Sequence, residues 1–111
     1  MAILTIHDWH TLGGKNEIAE YFRKLSKYEQ AEYERIRDVI ATDGFLAFDG
    51  LNTRQLQSKL WEIKLSQNRI MYIIANGENV YFLHACKKQK GKAEKFELEK
   101  AIKRAKTAEL I

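Results

Sequence analysis

Between Glu62 and Lys88 the chain carries side chains able to hold or move charge on a phosphate: Glu62 and Lys64 in "WEIK", Arg69 in "QNRI", His84 in "LHAC", and the pair Lys87 and Lys88. Several cations with one imidazole and one carboxylate suit cleavage of RNA by its own 2′-hydroxyl, a reaction that needs no metal. The hydroxyl attacks the adjacent phosphorus, and negative charge grows on the nonbridging oxygens and on the departing 5′ oxygen. Cations fixed at those points lower the barrier, and an arginine offers the planar fork that matches a phosphate. His84 or Glu62 could take the 2′ proton, with Lys64 or Lys88 as acid or electrostatic stabiliser. Spacing leaves these roles open. Each residue also has an ordinary reading: Glu62 and Lys64 as an exposed strand pair, His84 as a partly buried histidine with a satisfied hydrogen bond.

Strands must bring these groups together. From Leu56 the apolar period is two: "KLWEIKL" alternates, "RIMYIIA" and "VYFLHAC" are nearly continuous apolar runs, and "NGE" holds an Asn76-Gly77 turn signal. The pattern predicts three antiparallel strands in a meander. Even loops, Gln67-Asn68 and Asn76-Gly77, put Trp61, Ile63, Leu65, Ile70, Tyr72, Ile74, Tyr81, Leu83 and Ala85 on the core face. The other face then receives Glu62, Lys64, Arg69, Met71, Ile73, Val80, Phe82, His84, Cys86 and Lys88. A three-residue loop "SQN" would instead part Lys64 from Arg69.

Upstream, "AILTI" reads as a first strand. Ile18, Tyr21, Phe22 and Leu25 recur at helical spacing. Ser26 and Glu29 form a capping box that opens a second helix carrying Tyr33, Ile36, Val39 and Ile40, with Gly44 as its left-handed C-terminal cap. From about Gly91, Phe96, Ala101, Ile102, Ala105 and Ala108 trace a narrow stripe on a basic helix that should dock on one side only. The expected class is α+β in a single domain over residues 1–111: an N-terminal strand, a helical hairpin, a three-strand meander and a C-terminal helix.

Charge is unevenly divided. Residues 1–53 carry 6 basic and 9 acidic side chains, whereas residues 54–111 carry 13 basic and 6 acidic ones. Such asymmetry favours a basic face for a polyanion, although an acidic protein partner would feel the same field. Lys59, Lys87, Lys90 and Lys92 are candidate RNA-backbone contacts, whose binding should weaken with salt. No apolar run is long enough to span a bilayer, no secretion signal opens the chain, and Cys86 is the sole cysteine, so a cytoplasmic protein is expected. Cys86 reads as a small hydrophobe rather than a nucleophile. "HDWH" at residues 7–10 has metal-ligand types but no matching cluster, so it reads as a polar strand end, and neither metal nor cofactor is expected.

The segments "KLWEIKLSQNRIMYII" and "VYFLHACKKQKGKAEKFELEKAIKRA" together resemble the RelE/ParE superfamily of type II toxins, and within it the HigB-like branch related to phage-encoded proteins. The resemblance rests on Leu60-Trp61-Glu62-Ile63-Lys64, on Arg69 with Tyr72, and on His84 followed by Lys87-Lys88. It implies a RelE-like fold cupping an RNA groove, an endoribonuclease acting on mRNA in the ribosomal A site, and a cognate HigA-like, DNA-binding antitoxin. By position, Lys64, Arg69 and Lys88 look like the basic catalytic positions of RelE-type enzymes. Glu62 stands where many of those enzymes have a second lysine, and the tyrosine some carry after the basic pair is replaced by Ala93 and Glu94. Two other classes share the resemblance: a ParE-like gyrase inhibitor without nuclease activity, and a phage-type binding protein.

Overall fold

The computed structural model describes residues 3–111. In chain order these form β1 (Thr5–Asp8), α1 (Glu17–Arg23), α2 (Lys27–Asp43), a 3-10 helix (Gly44–Gly50), β2 (Thr53–Gln57), β3 (Leu60–Leu65), β4 (Asn68–Ala75), β5 (Asn79–Lys87) and α3 (Gly91–Thr107). One five-stranded sheet runs β1-β5-β4-β3-β2. β2 to β5 pair antiparallel in succession, and β1 lies parallel to β5 at one edge. The architecture is mixed α+β, as expected. Ala2, the first residue of the expected "AILTI" strand, lies outside the described residues.

The meander has four strands rather than three. β2, "TRQLQ", has one apolar residue and four polar ones, as suits an edge strand whose side chains are mostly exposed. That composition hid it from a search for apolar alternation. At the other end of the sheet, the chain reverses between β4 and β5 through three residues, so that Ala75 faces Asn79. Asn76 and Gly77 both take positive φ there, 59° and 70°. The odd loop inverts the expected parity of the outer part of β5: Val80 and Phe82 join the core under α1 and α2, while Tyr81 and Leu83 face α3. A bulge then shifts the register by one between the Met71 and Tyr72 pairings. Beyond it Met71 faces His84 and Arg69 faces Cys86, so the end that carries the charges keeps its expected faces.

Both sheet faces are covered. α1 and α2 pack Ile18, Phe22, Tyr33, Ile36 and Ile40 against Ile63, Leu65, Ile70, Tyr72, Val80 and Phe82. α3 lays Ala101 and Ala105 on Leu60, Met71, Ile73, Leu83 and Cys86. Small residues on α3 allow close approach, but Phe96 and Ala108, both expected in the stripe, are exposed, Phe96 at 64%, and Leu98 packs there beside the expected Ile102. The helix starts are as expected: Ser26 Oγ accepts from Glu29 N–H and Glu29 Oε1 accepts from Ser26 N–H, completing the box. Gly44 does have a positive φ of 62°, yet its ψ of −136° lies outside the left-handed helical well. The chain therefore does not leave α2 through a left-handed cap but continues into the 3-10 helix.

Phe82, on β5, sits at zero exposure in the layer between the sheet and the tandem helices, with the Arg37 guanidinium over its ring at 5.6 Å. Phe82→Ala should cost about 3–5 kcal/mol in urea unfolding, whereas Phe96→Ala should stay within about 0.5 kcal/mol.

Candidate active site

The turn from β3 to β4 brings the first cations together. Leu65 faces Asn68, leaving Ser66 and Gln67 as a two-residue loop, one position earlier than expected but of the same even length. Ser66 takes a positive φ of 56° to make it. Lys64 consequently faces Arg69 directly across the ladder, and Glu62 faces Met71. Asn68, fully buried, locks the turn: it accepts from Tyr21 Oη at 2.7 Å and donates to Glu29 Oε2 at 2.7 Å. On the neighbouring strand Lys88 N–H donates to Gln67 O at 2.7 Å, which carries the Lys87-Lys88 pair to the same sheet end.

These residues line one cleft between the sheet end and the start of α3. Its walls include Arg54, Glu62, Lys64, Arg69, Lys87, Lys88 and Lys90, with Met71 and Cys86 as the apolar part and Gln89, Glu94 and Glu97 toward α3. Glu62 is 3% exposed. Arg54 Nε lies 2.9 Å from its Oε2, and Arg69 Nε 4.0 Å. The short contact is an ion pair without hydrogen-bond alignment, so Glu62 Oε2 is a buried acceptor that receives no hydrogen bond. Arg69 is anchored by its own turn, donating to Asn68 O at 2.8 Å and Ser66 O at 3.2 Å. Arg54 also reaches Glu94 of α3 at 3.3 Å. Among the described residues, none of the ion pairs involves Lys64, Lys87, Lys88 or Lys90. The cleft thus holds a buried carboxylate oxygen, ion-paired with Arg54 but receiving no hydrogen bond, beside the lysines outside those ion pairs.

His84 stands apart. It is buried beneath α3 and lines a separate cleft with Lys15, Glu17, Lys100 and Arg104, not the one lined by Lys64 and Arg69. Arg104 Nη1, which can only donate, lies 3.4 Å from His84 Nδ1, so the ring proton belongs on Nε2, which donates to Glu97 Oε2 at 3.2 Å. Burial holds the imidazole below the usual histidine range, against the pull of Glu97. The Cys86 thiol, buried and beside Glu97, is pushed up to about 12, which fits the apolar reading and not a nucleophile.

Of the lysines expected on RNA, Lys87 and Lys90 line the cleft, and Lys92 is exposed in the first turn of α3. Lys59 lies across the sheet, in a groove with Phe45, Phe48, Trp61 and Tyr72. "HDWH" is structural: His7 stacks on Tyr81 at 4.8 Å and Asp8 pairs with Arg37 at 2.8 Å. Sequence reasoning missed Arg54, Glu94 and Glu97. Arg54 sits opposite Glu62 in the β2–β3 ladder, so recognising the polar edge strand would have found it.

The family model described as "Phage derived protein Gp49-like (DUF891)" matches residues 20–106. The chain belongs to the Gp49-like family. That family falls within the RelE/ParE-like toxin superfamily, so the chain is related to the toxins of toxin–antitoxin systems. No curated protein matches the sequence. The stretch matched in this Gp49-like chain takes in every residue of the cationic cleft as well as His84.

A group whose folded-state pKa is lowered binds fewer protons native than unfolded as pH falls. Stability contributed by neutral His84 is therefore present above its ordinary range and lost as pH drops through about 6.5. The fall of unfolding free energy between about pH 7 and pH 5.5 should be shallower in His84→Gln than in the wild type when both are followed by urea unfolding.

Proposed function

We propose that this chain is the toxin of a type II toxin–antitoxin pair, with a RelE-like fold of the HigB-like branch, and that it is an mRNA interferase. The observation that carries the proposal is the convergence of Lys64, Arg69 and Lys88 on one cleft beside a buried Glu62 whose Oε2 accepts no hydrogen bond. Glu62, rather than His84, takes the proton of the 2′-hydroxyl, because it lines the cleft and its Oε2 accepts no hydrogen bond. The 2′ oxygen bonds to phosphorus as the bond from phosphorus to the 5′ oxygen breaks. Arg69 and Lys64 hold the nonbridging oxygens, and Lys88 stabilises the departing oxygen and returns a proton to it. The products are a 2′,3′-cyclic phosphate and a 5′-hydroxyl. Every charge-handling role falls to a side chain, so no cofactor is called for.

Lys87, Lys90 and exposed Lys92 extend the cationic surface toward α3 and would follow the RNA backbone, with the translating ribosome as the setting. The partners proposed are mRNA, the ribosome and a HigA-like, DNA-binding antitoxin whose acidic surface would meet the same cations, in the cytoplasm. The superfamily also contains gyrase-inhibiting ParE-like toxins, for which such a cleft has no use.

Expression of the wild-type chain should arrest growth, and Lys64→Ala, Arg69→Ala and Lys88→Ala should each relieve it while remaining folded. Cleavage by each purified variant should fall about 10²–10³-fold, the loss typical of removing one charge-stabilising donor. Toxicity that survives all three substitutions would favour the ParE-like or binding-only classes.

A further inference from the structure

His84, Cys86 and Glu97 have no part in the cleavage scheme, yet β5 and α3 bring them together. His84 and Cys86 are two apart on β5, so both point toward α3, and the helix sets Glu97 over them. The imidazole nitrogen, the thiol sulfur and a carboxylate oxygen all lie within 4.8 Å of one another. His84 and Cys86 are buried, and Glu97 is half-buried.

We propose that this triad is a binding site for a zinc-class divalent ion, one per chain. Mixed nitrogen, sulfur and oxygen donors suit Zn²⁺, whereas Mg²⁺ and Ca²⁺ demand oxygens alone. On binding, Cys86 gives up its proton to solvent, and the thiolate and the carboxylate together balance the two charges of the ion, so the loaded site is neutral. Three protein ligands leave one position of a tetrahedron open. Cys86 and Glu97 line the cationic cleft, and His84 does not, so the ion enters from the cleft and its open position faces there.

The surroundings set the strength of binding. Ligation by Nε2 moves the ring proton to Nδ1, which then faces Arg104 Nη1 at 3.4 Å. Arg104 keeps its shorter bonds to Leu83 O at 2.8 Å and Glu17 Oε1 at 2.7 Å, and its guanidinium stays over the Trp9 ring. Only its longest contact is given up, which makes the site weaker than a closed four-ligand one but does not forbid it. The bound ion replaces the bond from His84 to Glu97 with two coordination bonds and fastens the first half of α3 to β5. This inference does not depend on RNA cleavage.

The reduced full chain would be titrated with Co²⁺ as a spectroscopic substitute for Zn²⁺. Cys86 is the only cysteine, so a thiolate-to-cobalt charge-transfer band can come from no other residue. A band saturating at one Co²⁺ per chain, bleached by Zn²⁺, is expected. It should vanish in Cys86→Ser, and the cobalt affinity should fall about tenfold or more in His84→Gln and Glu97→Gln. In parallel, Zn²⁺ should raise the Tm of the wild type and not of Cys86→Ala, which serves if the serine variant does not fold. Absence of the band, saturation at one ion per two chains, or a band indifferent to His84→Gln and Glu97→Gln would overturn the proposal.

Discussion

Repulsion among like charges governs this structure. Arg54, Lys64, Arg69, Lys87, Lys88 and Lys90 surround one cleft, and only Glu62, Glu94 and Glu97 oppose them there. Glu62 attracts Arg54 at 2.9 Å and Arg69 at 4.0 Å, roughly 6 and 4 kcal/mol gross at an effective dielectric of 20. Taking the carboxylate and its arginines out of water costs several kcal/mol per ion, a comparable sum, and packed apolar residues in place of such a buried cluster often support a fold as well. Stability does not account for Glu62. What the carboxylate does is fix where the cations stand, with Arg54 drawn across from β2 and Arg69 held by its turn.

The cation cluster was legible because side-chain parity survives small errors of register. The β3–β4 loop lies one residue from its expected place, yet any even loop leaves Lys64 and Arg69 on one face. On β5 the expected parity holds only from His84 onward, since the odd loop at Asn76-Gly77-Glu78 inverts the outer half and the bulge restores the inner. Nothing in "VYFLHAC", apolar on both faces, announces a bulge. The polar strand β2 escaped notice for the opposite reason, having too little apolar alternation, and Arg54 was missed with it. Glu97 was missed because its meeting with His84 depends on how α3 crosses the sheet.

The two faces of the sheet divide the work. α1 and α2 build an apolar core, and the fully buried Asn68 beside it pins the turn that aims Arg69. α3 packs through small residues, and that closeness sets Glu94 and Glu97 at the cleft and Arg104 beside His84. Membership of the Gp49-like family accounts for the scaffold. A scaffold of this kind hosts more than one activity, so the chemistry has to be argued from the cleft.

The most direct measurement is primer extension on an mRNA translated in a purified system, with the wild-type chain and Arg69→Ala side by side and the chemistry of the new ends determined. Cuts made only by the wild type, only during translation, and ending in a 2′,3′-cyclic phosphate and a 5′-hydroxyl are the expected result. A soluble, folded wild-type chain that leaves the message intact, or cuts equally well without Arg69, would contradict the assignment of the cleft to RNA cleavage.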